Sequence, residues 1–139
     1  MKALVVYDSV FGNTEKIAQA IGEAIGGQVL RVGEVSPADL KGFDLVIVGS
    51  PTHGGFPTPG IDGLLKASPP LDGLNVAAFD TRTKRTIFGY AAPRIARRLE
   101  KSGGKVRLPP EGFLVLGMEG PLVDGELERA AGWAKGMVG

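Results

Sequence analysis

The chain has 139 residues, 43% hydrophobic and 22% charged, which suits one domain (residues 1–139) with a buried core and argues against disorder or a fibrous architecture. It has no Cys, which removes thiolate nucleophiles, Cys-based zinc sites, iron–sulfur ligation and disulfides; its single His, His53, removes a multi-histidine metal site. Sixteen basic against fifteen acidic residues leave a net charge of +1, so electrostatics alone name no partner.

Ala3-Leu4-Val5-Val6-Tyr7 is a continuous apolar run, the pattern of a parallel strand covered on both faces. Ile17, Ile21 and Ile25 recur every four residues and Gly26-Gly27 supplies a stop, which predicts a helix. From 28 to 32 polar and apolar residues alternate with Arg31 inside, as in an edge strand. Ser36-Pro37-Ala38-Asp39 reads as a helix start with room for little more than one turn. A strongly apolar strand is predicted over 43–48, then a long loop over 50–60. Ile61, Leu64 and Leu65 mark a short helix ending before Pro69-Pro70.

A further strand is predicted over 74–79, followed by a basic loop over 81–85. Ala92, Ile95 and Leu99 define the next helix, stopped by Gly103-Gly104. The last strand is predicted over 113–116, kept apart from Val106 by Pro109-Pro110. Leu127, Ala130, Ala131, Ala134 and Val138 then form the apolar stripe of a final helix. No segment is a basic arm or long enough to span a membrane, and Asp8 ends the first apolar run too early for a signal peptide. A cytoplasmic protein with neither nucleic-acid nor membrane partners is the expectation.

Five β-α repeats imply a doubly wound α/β fold with a five-stranded parallel sheet, and right-handed crossovers favour the strand order 2-1-3-4-5. Ligands of open α/β sheets bind beyond the carboxyl ends of the strands, where the order reverses. The loops there run over 8–14, 50–58 and 80–86. They are polar and rich in Gly and hydroxyl residues.

The first loop enters a helix N-terminus, whose free N–H groups and dipole favour an anion. Ser9, Asn13 and Thr14 can add donors, and Gly12 allows close backbone approach. With no Lys or Arg inside the loop, a phosphate is held by neutral donors. A tight turn capped by Thr14 or Asn13 is the competing reading, and composition alone leaves both open.

Ser9-Val10-Phe11-Gly12-Asn13-Thr14 resembles the flavodoxin phosphate loop: a hydroxyl residue, two variable positions, Gly, one variable position and Thr. Gly49-Ser50-Pro51-Thr52-His53-Gly54-Gly55 resembles the loop along the isoalloxazine edge in that family. Gly112-Phe113 through Glu119-Gly120-Pro121 and Asp124-Gly125-Glu126-Leu127 is similar to the last strand and helix of short members. The resemblance covers essentially the whole chain. It implies the flavodoxin-like fold and FMN as cofactor, held by Ser9, Val10, Phe11, Gly12, Asn13 and Thr14; by Pro51, Thr52, His53, Gly54, Gly55 and Phe56; and by Thr81, Arg82, Thr83 and Lys84.

Many flavodoxins flank the flavin with a Trp and a Tyr. Here the only Trp, Trp133, sits in the final helix off its apolar stripe and is assigned to packing, so ring partners must come from Phe56, Phe88 or Tyr90. His53 reads better as a solvated loop residue than as a hydrogen-bonding neighbour of the ring. A Gly54 or Gly55 peptide beside flavin N5 can reverse and offer its C=O to the N–H that appears on one-electron reduction, a turn cheap only for Gly; an ordinary turn before Pro57 is the plainer alternative. Asp8 and Asp80 read as loop ties.

A receiver domain requires an Asp where Ser50 stands, and the first loop lacks the dinucleotide glycine and Walker motifs. The favoured function is an FMN-binding redox protein serving a partner protein or a small-molecule electron acceptor. An FMN-dependent NAD(P)H:quinone-type reductase and a domain that has lost FMN and acts as a binding module are the alternatives. Carrier flavodoxins are typically strongly acidic and this chain is not. Arg82, Lys84 and Arg85 are expected near N1 and O2 of the ring, with a solvated cluster as the competing reading.

Overall fold

The structure, a computed structural model, describes residues 1–84 and 88–138. Its strands are β1 (Ala3–Tyr7), β2 (Gln28–Arg31), β3 (Leu45–Pro51), β4 (Asn75–Thr83), β5 (Lys105–Val106) and β6 (Glu111–Val115). Its α-helices are α1 (Asn13–Ile25), α2 (Pro59–Lys66), α3 (Ala91–Lys101) and α4 (Glu126–Lys135). The sheet runs β2-β1-β3-β4-β5, β6 also pairs with β4, and every strand pair is parallel. This is the expected 2-1-3-4-5 order with the fifth strand in two pieces.

Side chains of a strand alternate between faces, so each apolar run feeds two cores. Leu4, Val6, Val46, Val48, Val76 and Ala78 pack with α2 and α3 through Ile61, Leu64, Ile95 and Leu99. Ala3, Val5, Tyr7, Ile47, Ala77 and Phe79 pack on the other face with Ile17, Ile21, Ala130 and Ala134 of α1 and α4. Trp133 also lies in this second core, its ring 6.4 Å from Phe79 and 6.0 Å from Phe113, which is the packing role expected of it.

Four expectations need correction. Between β2 and β3 the short helix expected to open at Ser36-Pro37-Ala38-Asp39 is there, Ser36 N–H donating to Asp39 Oδ2 at 2.9 Å, but it is a 3-10 segment, Pro37–Gly42, preceded by another, Val32–Glu34, and not an α-helix. The strand expected over 43–48 is Leu45–Pro51, so it reaches the first residues of the expected loop. β4 continues through Thr83, placing Thr81, Arg82 and Thr83 in the strand, because Phe79–Thr83 finds a full ladder in β6. The fifth strand starts at Glu111, and residues 107–110, which include the two prolines, separate it from β5.

The inward face of α4 is also rotated. Leu127 is 42% exposed, whereas Glu126, Ala130 and Ala134 are buried. A buried carboxylate needs partners, and Glu126 has them: it accepts from Leu114 N–H at 2.6 Å and from Arg129 Nε and Nη2 at 2.9 and 2.7 Å. The Arg129 hydrogen bonds, then the Leu114 amide and the Arg129 charge, outweigh desolvation and hold the Glu126 carboxyl below its usual range. A depressed carboxyl stabilises the fold above its unfolded pKa and loses that contribution as pH falls through the folded value. Glu126→Gln is therefore expected to cost about 1–3 kcal/mol at pH 7. Urea unfolding of both proteins should show the gap closing as the pH falls below the carboxylate range.

Candidate flavin site

β1 and β3 are neighbours whose connections leave to opposite sides, which opens a crevice at their carboxyl ends. A cavity of about 360 Å³ lies there, within the size range of small-molecule sites. Ser9, Val10, Phe11, Asn13 and Thr14 line it after β1, Pro51, Thr52, His53 and Gly54 after β3, and Thr81, Arg82 and Thr83 at the end of β4. Gly12, Gly55, Phe56 and Lys84 are not on its wall. Phe88, Val115 and Met118 are, and sequence reasoning assigned no site role to Val115 or Met118. Val115 ends β6 and Met118 follows it, and neither apolar residue carries a signal distinguishing it from core.

The first loop is built around Gly12, the residue before α1, at φ 91°. This left-handed conformation suits Gly, and no side chain caps the helix. Neither Thr14 nor Asn13 is the cap: Thr14 Oγ1 is 2.8 Å from Thr81 Oγ1, and Asn13 Nδ2 donates to the Glu119 carbonyl at 3.2 Å. Both are drawn inward because α1 packs over β1 and α4 there. Ser9 Oγ accepts from Gly12 N–H at 3.0 Å, which closes the turn and leaves the Ser9 hydroxyl proton available. The amides of Val10, Phe11, Asn13, Thr14 and Glu15 meet no acceptor among the described residues.

The loop therefore presents uncapped N–H donors at a helix N-terminus together with hydroxyls, and no cation. That donor set fits a phosphate monoester. The carboxylate of Asp8 does not compete: Thr58 Oγ1 donates to it at 2.6 Å, Ser9 N–H at 2.9 Å and Arg31 Nη1 at 3.5 Å. Asp8 is a loop tie, as expected.

The second loop closes on itself. His53 N–H donates to Phe56 O at 2.9 Å and Phe56 N–H to His53 O at 3.0 Å, with Gly54 at φ 57° and Gly55 at φ 89°. This is a type I′ hairpin turn, whose two central residues both require positive φ. Gly55 is buried, and a Cβ there would overlap the carbonyl of Phe88. His53 is exposed at the cavity edge.

Asp80 and Arg82 show the largest departure from the sequence reading of the third loop. Arg82 Nε and Nη2 donate to the two Asp80 oxygens at 2.7 Å each, and Ala92 N–H donates to Asp80 Oδ2 at 2.8 Å. Asp80 is fully buried and the Arg82 side chain is 18% exposed. The expected free cation is thus half of a buried pair; Lys84 is exposed, and Arg85 and Thr86 lie outside the described residues. Arg82 also covers the ring of Tyr90 at 3.5 Å, and Arg94 covers Phe56 at 4.0 Å. Of the three ring partners considered, only Phe88 lines the cavity, joined there by Phe11.

A flavodoxin family model matches residues 5–133. The chain belongs to the flavodoxin family. It is 35% identical over 119 residues to a flavodoxin of Maridesulfovibrio salexigens, a match spanning 76% of this chain and 80% of that protein. A flavodoxin structure from the domain Archaea aligns with a TM-score of 0.77 and 27% identity, covering 96% of this chain and 94% of the other. Oxidised flavodoxin 1 of Bacillus cereus aligns with a TM-score of 0.87 and 22% identity over 99% and 97% of the two chains, which shows the shared fold. Family and fold together make this an FMN-binding electron-transfer protein. No described helix is long and apolar enough to cross a membrane.

Proposed function

We propose that this flavodoxin is a single-domain cytoplasmic one-electron carrier that holds FMN non-covalently in the cavity beyond β1, β3 and β4. The free amides of the first loop, at an uncapped helix N-terminus, carry the reading. In it, Val10, Phe11, Asn13, Thr14 and Glu15 supply backbone donors to the phosphate, and Ser9 and Thr14 supply hydroxyls. Bound FMN supplies one-electron chemistry between a donor and an acceptor. Phe11, Phe88, Val115 and Met118 give the ring an apolar surround and exclude water from part of it. The Gly54–Gly55 peptide can pass between type I′ and type II′ turns, since neither residue has a Cβ, and so re-aim a carbonyl at the cavity edge. The cavity is lined by no unpaired carboxylate among the described residues, so nothing there repels a phosphate or an electron-rich ring.

Equilibrium titration with FMN and with riboflavin tests the assignment. Each hydrogen bond to a charged group is worth about 1.5–3 kcal/mol, and two of them correspond to roughly 100-fold or more in affinity. FMN is expected to bind tighter by at least that factor, with the yellow flavin spectrum perturbed on binding. Equal affinity for the two would remove the phosphate from the first loop.

A further inference from the structure

Arg94, Arg97, Arg98 and Lys101 stand at i, i+3, i+4 and i+7 of α3 and so share one face of the helix. Its other face, Ala92, Ile95, Ala96 and Leu99, is buried in the core. Together with Phe56, Pro57, Asp62 and Leu65, the cationic face encloses a groove of about 210 Å³. Two carboxylates stand close to it. Asp62 is shared between Arg98 at 3.4 Å and Lys66 at 3.0 Å, and Glu100 lies on α3 itself. Among the described residues, Arg94, Arg97 and Lys101 have no carboxylate partner. The groove thus holds a surplus of positive charge on a chain that is otherwise almost neutral.

Its position relates it to the flavin cavity. Arg94 Nε donates to the carbonyl of Gly55 at 2.8 Å and Nη2 to that of Phe88 at 3.4 Å, and the guanidinium covers the Phe56 ring at 4.0 Å. The head of the stripe is therefore fastened to both loops on the ring side of the cavity. Phe56, 54% exposed, and Pro57 give the groove an apolar wall beside its charges. Exposed aromatic and Arg residues side by side are the composition of a protein-docking surface.

We propose that the α3 face and Phe56 form the docking surface for an acidic electron-transfer protein. The proposal rests on FMN occupying the cavity. Carboxylates of the partner meet Arg97 and Lys101, which no carboxylate among the described residues neutralises, and Phe56 and Pro57 become the dry centre of the contact. Charge complementarity speeds encounter and sets orientation, bringing the partner's redox centre to the cavity side of this protein. A protein's mixed surface accommodates Asp62 and Glu100 inside the patch, which a uniform polyanion does not.

Ferric cytochrome c and the same protein with its lysines succinylated offer one haem on a basic and on an acidic surface. Each is mixed in stopped flow with fully reduced, FMN-loaded protein; two ferric haems are reduced to ferrous per flavin reoxidised, and the flavin protons pass to solvent. At low ionic strength the acidic form should react roughly tenfold faster, within the usual range of electrostatic steering. High salt should erase the difference. Arg97→Glu with Lys101→Glu should reverse the preference, while FMN affinity and the rate with a neutral benzoquinone stay unchanged. Arg97→Gln with Lys101→Gln should abolish the preference and serves if the first variant does not fold. Equal rates for the two cytochromes, or a preference that survives the substitutions, overturns the proposal. So does capture by anionic phospholipid vesicles through Arg97 and Lys101 without a preference between the cytochromes. If FMN itself fails to bind, the neutral quinone reaction of the unsubstituted protein fails too, which separates that result from failure at the docking surface.

Discussion

Asp80→Ala should lose about 3–5 kcal/mol of stability, because it strands a largely buried guanidinium that the carboxylate now holds with two hydrogen bonds. The same change removes the acceptor of Ala92 N–H at the start of α3. Chemical denaturation of the apo protein measures the loss, with Asp80→Asn as the control that keeps shape and removes charge. The pair also makes a redox prediction. Arg82 lines the cavity but is neutralised in place, so Arg82→Gln strands the Asp80 carboxylate and should lower the midpoint potential of bound FMN while costing stability. In Asp80→Asn the guanidinium becomes an uncompensated cation beside the cavity and should raise that potential, since a positive charge favours the electron-rich state. Spectroelectrochemical titration of the three proteins separates the outcomes. Unchanged potentials in both variants would mean that neither charge of the pair reaches the flavin.

Gly55→Ala should act on the two ring-side loops together. An L-residue at φ 89° is strained by about 1–3 kcal/mol. The added Cβ must also displace the Phe88 carbonyl, which a well-packed site resists at a further cost of about 1–3 kcal/mol. The His53–Phe56 turn and the Arg94 bonds to Gly55 and Phe88 should loosen with it. FMN affinity is then expected to fall by roughly ten- to 100-fold, given the conversion of 1.4 kcal/mol per decade. Gly54→Ala provides the comparison: its φ is also positive, but a Cβ there meets open space, so it should cost strain alone. Fluorescence titration with FMN and thermal melts of both variants check the order; equal losses would mean that contact with Phe88 carries no weight.

Much of this protein is set by local pattern. The apolar runs at Ala3–Tyr7 and Leu45–Val48 are too uniformly hydrophobic for a half-exposed strand, and their alternation with helical stripes forces a doubly wound parallel sheet. The first loop is legible for the same reason: a Gly-containing polar segment between a buried strand and a helix leaves amides free wherever the helix begins. Val115 and Met118 join the cavity only because β6 reaches β4 beyond its own break, a pairing of distant segments that no window of sequence contains. Charge was the property least readable from order alone. Arg82 sits two residues from Asp80, and on an extended strand such residues share a face, so their salt bridge was in principle visible. The run of cations over Arg82, Lys84 and Arg85 suggested a loop instead. That β4 continues through Thr83 was decided by the β6 ladder, and the ladder turned an apparent free cation into a buried pair. On α4 likewise, composition offered Leu127 for the core, but the Leu114 amide and Arg129 gave Glu126 enough partners to take the inward position. The sequence determined which segments form the sheet and where a phosphate meets free amides; tertiary pairing determined which charges remain free, because a side chain's partner is chosen by distance in space.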